Sequence, residues 1–125
     1  MSDIIVNANE SITRTGIIVV KKQVKKISVS GKWKDAYIEC DANGWTGYDM
    51  PFSFLYENPF LDSQKKVPGM PYMKLMAKVG EIFFEIGNIK NKEIIMPDSG
   101  ELCLFPNHIE WLYWNNSGNI TVNIY

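Results

Sequence analysis

The 125-residue chain has one histidine, two cysteines and one arginine, and no aliphatic run longer than Ile17–Val20. Runs that short exclude a membrane-spanning helix, so no membrane insertion is expected. The lone His108 is the only candidate for imidazole acid–base chemistry, yet neither a Gly-x-Ser-x-Gly nor a Cys-His signature surrounds it. The common phosphate-binding glycine loops are missing. Nothing in the spacing of the fourteen carboxylates selects a glycosidase-like pair. The chain therefore reads as a non-enzyme. Cys40 and Cys103 stand far apart without metal-ligand spacing and read as small buried residues. The opening segment has Asp3 and no basic stretch leading into an apolar core, so it does not read as a secretory signal. A cytoplasmic location as synthesised, a surface location only by a non-signal route, and free thiols are the matching expectations.

What the chain does have is an ordinary soluble composition, 46% hydrophobic and 22% charged, enough at this length for one domain spanning residues 1–125 with its own core. Residues 1–34 hold a basic excess, centred on Lys21, Lys22, Lys25 and Lys26, and the remainder is acidic. Arginine is the usual reader of phosphates and bases, and only Arg14 is present. The lysines are read as a turn and strand edge that resists pairing with another chain, and no nucleic-acid partner is expected.

Short apolar runs recur between turn residues. Ile4–Val6, Ile17–Val20, Val24–Ser30, Met73–Val79, Ile82–Ile86, Glu93–Met96, Glu101–Phe105 and Asn119–Tyr125 are predicted strands. The last alternates cleanly, with Ile120, Val122 and Ile124 on one face. Seven or eight such strands indicate an all-β, antiparallel sandwich. Between them, residues 31–72 combine many Gly and Pro with Trp33, Tyr37, Trp45, Tyr48, Phe52, Phe54, Tyr56 and Phe60. This stretch is read as an ordered, aromatic-rich excursion without long regular elements.

The segment from Asn107 to Gly118 combines amide oxygens, a carboxylate and the indoles of Trp111 and Trp114. Paired Asn side chains can ligate a hard cation or hydrogen-bond sugar hydroxyls, and an indole face suits the C–H face of a sugar ring. The plainer reading is that Asn115-Asn116-Ser117-Gly118 is turn chemistry.

Several pieces match a known family in order: Val6-Asn7-Ala8-Asn9, Thr15-Gly16-Ile17, Ile27 to Gly31 with Trp33, Asp41-Ala42-Asn43-Gly44-Trp45, Leu75 to Gly80, Ile86-Gly87, Ser99 to Leu102, Asn107, and Asn115 to Val122. On these the chain resembles the calcium-dependent galactose-binding lectins of the bacterial LecA (PA-I lectin) type. The resemblance implies a jelly-roll-like β-sandwich with one calcium-bridged sugar site at one end, and association into a homo-oligomer. It places two amide ligands at Asn115 and Asn116, and backbone carbonyl ligands near Leu112 and near Ala36 or Tyr37. In the family an Asn-Asp pair follows the strand and its Asp bridges calcium and sugar. Here the pair is Asn107-His108, and imidazole is a poor replacement for a carboxylate on Ca²⁺. The family's sugar contacts from the long loop fall near Tyr48 and Pro51.

The resulting expectation is galactose-type carbohydrate binding where loop 36–51 meets loop 107–118. Asn115 and Asn116 are the polar ligands, Asn107 and His108 stand at the anchor, and Trp111, Trp114, Trp45 and Tyr48 are stacking platforms. Calcium is a candidate cofactor, with Glu110, Asp41 or Asp49 as the compensating carboxylate. The alternative is the same fold with a decayed sugar site, serving as a protein-interaction or effector module.

Overall fold

Alternation along the chain builds the sheets. In the computed structural model, which describes residues 2–45 and 59–125, the strands are β1 (Ser2–Asn7), β2 (Thr13–Val19), β3 (Val24–Asp35), β4 (Ile38–Cys40), β5 (Asn43–Trp45), β6 (Tyr72–Val79), β7 (Ile82–Glu85), β8 (Lys92–Ile95), β9 (Gly100–Pro106) and β10 (Asn116–Ile124). A short helix α1 (Pro59–Gln64) precedes β6, and a 3-10 helix (Glu110–Asn115) precedes β10. One sheet runs β1-β10-β3-β4, with β8 also on β3; the other runs β2-β9-β6-β5, with β7 also on β6. All these pairings are antiparallel.

The two sheets form a sandwich. Its core takes Val6, Ile27, Val29, Trp33, Ile120, Val122 and Ile124 from the first sheet, and Val19, Leu75, Ala77, Val79, Leu102 and Leu104 from the second. Burying these side chains is the main driving term, at about 25 cal/mol per Å² of apolar surface removed from water. Trp33 also stitches the layers together: its Nε1 donates to the Met73 carbonyl, 3.0 Å away.

The all-β antiparallel expectation holds, but the strands number ten among the described residues. The additions come from the stretch expected to be irregular. β3 runs through Gly31 to Asp35, because Trp33 and Asp35 continue the inward alternation of Ile27 and Val29. Its partner β10 correspondingly starts at Asn116, so Asn116-Ser117-Gly118 is strand rather than turn, paired with Asp35, Lys34 and Trp33. The lysine-rich segment also differs. Lys21 and Lys22 occupy the β2–β3 turn, but Lys25 and Lys26 lie on the central strand β3, paired with β8 rather than on a free edge.

Gly44 shows how tightly β5 lies on β6. It has φ +79°, and a Cβ there would stand 2.2 Å from the Tyr72 carbonyl oxygen. Gly16 has a similar φ of +77° with nothing within 4 Å. Gly16→Ala should cost about 1–2 kcal/mol, the conformational term alone. Gly44→Ala should cost more than about 4 kcal/mol or prevent folding, since backbone must move. Urea denaturation of the two variants checks this, and equal losses would show that the β5–β6 contact is not tight.

Candidate functional site

The residues singled out near the end of β9 fall at one end of the sandwich, each held by a nameable contact. Asn107 continues the β9–β6 ladder: its N–H donates to Lys74 O at 2.9 Å, and its carbonyl accepts from Met73 N at 2.7 Å. Its side chain closes the loop ahead of β6. Oδ1 accepts from Val67 N at 2.9 Å, and Nδ2 donates to the carbonyls of Val67 (2.9 Å), Met70 (3.1 Å) and Pro71 (3.3 Å). Fully buried and bonded at both ends of its amide, Asn107 is a brace for the site and not one of its ligands.

His108 follows, 1% exposed. Its Nδ1 accepts from the Ile109 N–H at 2.8 Å, which puts the ring hydrogen on Nε2. That Nε2 lies 2.9 Å from Asp35 Oδ2, although the N–H is not aligned for a full hydrogen bond. The same Oδ2 accepts from Trp45 Nε1 at 3.1 Å. Trp45 stacks on Tyr72 with ring centroids 5.1 Å apart, and Tyr72 in turn packs against His108 at 5.3 Å and under Lys65 Nζ at 4.1 Å. Trp45 is therefore a buried wall and not a stacking platform, because both its ring and its N–H are engaged inside.

The 3-10 helix carries the chain from this wall to β10. Tyr113 anchors it: the hydroxyl donates to Pro106 O at 2.7 Å, and burial, then the Glu110 charge, pushes the phenol well above its ordinary range. The helix ends in Asn115, whose carbonyl accepts from Ala36 N at 3.1 Å and so ties the β3–β4 turn to the site. Asn116 then opens β10 opposite Asp35. Its Nδ2 donates to Ala8 O at 2.9 Å. The Oδ1 atoms of both Asn115 and Asn116 are buried and accept no hydrogen bond. Unmet buried oxygens are costly, typically about 1–3 kcal/mol each, and two on consecutive residues concentrate that cost at this end of the sandwich.

The other expected residues divide clearly. Tyr37, Trp111 and Trp114 are exposed, at 71%, 58% and 76%. Tyr37 sits on the turn tied to Asn115, and the two indoles on the 3-10 helix that Asn115 ends. Leu112 is half-buried on that helix. Of the carboxylates expected to compensate, Asp41 is bound within its own region, accepting from Asn43 N at 2.8 Å and Asn88 Nδ2 at 3.3 Å. Glu110 is turned to Lys66, 3.9 Å away. Tyr48, Asp49 and Pro51 lie outside the described residues. The carboxylate that does reach the site is Asp35. The readable signal is an acid on the inward register of β3, hidden because the expected strand stops at Ser30. Tyr72, Lys65 and Tyr113 were likewise missed, because their roles depend on contacts distant in sequence.

Cys40 and Cys103 are free thiols. Cys40, paired with Trp33 across the β3–β4 ladder, has its thiol pushed up to about 12, by burial first and then by the charges of Asp35 and Asp41. Thiol reagents act on thiolate. Native Cys40 should thus label slowly at mildly alkaline pH and faster as pH climbs towards that value, while both thiols label in denaturant without reductant. A native Cys40 as fast as a free thiol overturns this. Asn107→Ala strands one buried N–H and releases several carbonyls, so it should lower stability by about 2–3 kcal/mol in thermal or urea melts. Asn115→Ala, which removes an oxygen without a partner, should cost far less.

No protein-family model and no curated protein matches the sequence. Among solved structures, the fold is similar to one described as the N-terminal domain of EclA, a PllA-like lectin. The two are 18% identical, with a TM-score of 0.74 over 100% of this chain and 95% of that one.

Proposed function

We propose that this chain is a non-enzymatic carbohydrate-binding domain that takes a galactose-type sugar at the end of the sandwich shaped by the β3–β4 turn and residues 107–116. The observation that carries the reading is the pair of buried, unpartnered oxygens, Asn115 Oδ1 and Asn116 Oδ1. They stand at the two amide positions that the lectin resemblance assigns to calcium, and the lectin-like fold supports the reading. Exposed Tyr37, Trp111 and Trp114 supply apolar faces for a sugar ring beside those amides.

The donor set fits a hard cation. Two neutral amide oxygens and a nearby carboxylate are oxygen ligands, and His108 turns an N–H towards that carboxylate instead of a lone pair. Bound there, calcium would polarise and orient vicinal sugar hydroxyls. Asn115 and Asn116 would hold it through Oδ1, with backbone carbonyls of the β3–β4 turn and the 3-10 helix as further oxygens. Asn107 and Tyr113 keep these elements in place. The three exposed aromatics also favour a second reading, a protein-binding surface on the same fold.

Melting temperatures with calcium, with EDTA, and with galactose added to each test the proposal. At a hundredfold excess over Kd, a native-state ligand adds about 2.7 kcal/mol, roughly 10 °C for a domain of this size. A rise with galactose, removed by Asn115→Ala while the melt in buffer is unchanged, is the expected result. Absence of any response to galactose, with or without calcium, sinks the carbohydrate reading and leaves the protein-binding one.

A further inference from the structure

We infer that Asp35 supplies the anionic oxygen of this site, and that His108 is a positioning residue that holds it. The inference rests on the carbohydrate-site reading above and adds to it the source of the negative charge.

Three features carry it. Both contacts to the Asp35 carboxylate, from Trp45 Nε1 at 3.1 Å and His108 Nε2 at 2.9 Å, fall on Oδ2. Among the described residues no donor reaches Oδ1. Asp35 is also the cross-strand partner of Asn116. Directly opposed residues of an antiparallel pair project from the same face with Cβ atoms about 5 Å apart. Both side chains are buried, at 6% and 5% exposure, so that shared face is the inner one. Finally, the Ala36 N–H to Asn115 O bond brings the next residue of β3's turn against the residue before Asn116. The buried, unpartnered Oδ1 atoms of Asn115 and Asn116 thus sit on backbone positions adjoining that of the Asp35 carboxylate.

One carboxylate beside two amide oxygens that accept no hydrogen bond is a ligand set that suits a hard divalent cation. The ring of His108 cannot be one of its ligands, because Nδ1 is occupied by Ile109 N–H and Nε2 carries the hydrogen. It acts through Asp35 instead, lying with Trp45 against Oδ2 and so leaving Oδ1 as the oxygen for the cation. On this assignment the negative charge comes from β3 and not from the position of His108. With a single carboxylate the site is of the weak class, with Kd on the order of 10⁻⁴–10⁻³ M.

Titration calorimetry with calcium chloride alone tests the assignment on wild type, Asp35→Asn, Asn115→Ala and the double variant Asp35→Asn/His108→Asp. Asp35→Asn should weaken binding by more than about tenfold, and the double variant should regain it by returning the charge to the loop. Wild-type affinity in Asp35→Asn, with loss in Asn115→Ala, overturns the inference while the carbohydrate reading stands. So does a wild type that ignores millimolar calcium but responds to galactose. A wild type that ignores both removes the two together. Should Asp35→Asn not fold, ¹⁵N NMR of the wild type replaces it. Calcium must then shift the Trp45 indole N–H and the His108 ring nitrogens, and binding that leaves them unmoved overturns the inference.

Discussion

A carboxylate on the inner face of a β-sheet has to be met by donors, by a cation or by both, because an ion taken out of water loses several kcal/mol of hydration. Asp35 sets that requirement here, and much of the surrounding end of the molecule answers it. Trp45 is turned inward so that its N–H reaches Oδ2, and its ring lies flat on Tyr72. His108 is held with its Nε2 towards the same oxygen because Ile109 N–H occupies the other nitrogen. The three residues come from β3, β5 and the loop after β9, so satisfying one charge ties both sheets together at this end.

The remainder of the sandwich gives that arrangement its rigidity. Each sheet has a central strand whose far side is shared by two short partners: β8 and β4 on β3, and β7 and β5 on β6. The division lets β4 and β5 form a separate, site-proximal edge without disturbing the long β3–β10 and β6–β9 ladders. Asn107 does the corresponding work for the loop ahead of β6, where one amide replaces four hydrogen bonds that irregular backbone would otherwise lack. Rigid framing of this kind holds Asn115 and Asn116 in place although their Oδ1 atoms accept no hydrogen bond.

Alternation made the architecture legible. Ile120, Val122 and Ile124, or Leu75, Ala77 and Val79, declare a strand and its inner face with no knowledge of a partner. Asn115 and Asn116 stood out through the lectin resemblance, whereas their residue types alone read equally well as turn chemistry, and Asn116 proves to be the first residue of β10. Asp35 was not legible. Its meaning depends on a register that continues through Gly31, at φ +108°, and on Asn116 lying opposite, 81 positions later in the chain. Trp45 misled for the same reason: only tertiary placement separates an indole that lines a wall from one that faces solvent. His108 was readable as a departure from the lectin pattern, but its tautomer depends on a backbone contact that sequence does not announce.

The first and last strands have a consequence for how the molecule can be displayed. Ser2 lies opposite Ile124, whereas Asn116 and Asp35 stand at the other end of β10. Eight steps of antiparallel strand separate the two, roughly 27 Å. Residues 2 and 124 therefore lie side by side, at the end of the sandwich away from Asn116 and Asp35. Grafted through either end onto a bead, a scaffold or a second domain, the molecule would point its amide pair outward. Arrays built that way would present many copies of the same face at once, the arrangement in which linked weak contacts add up.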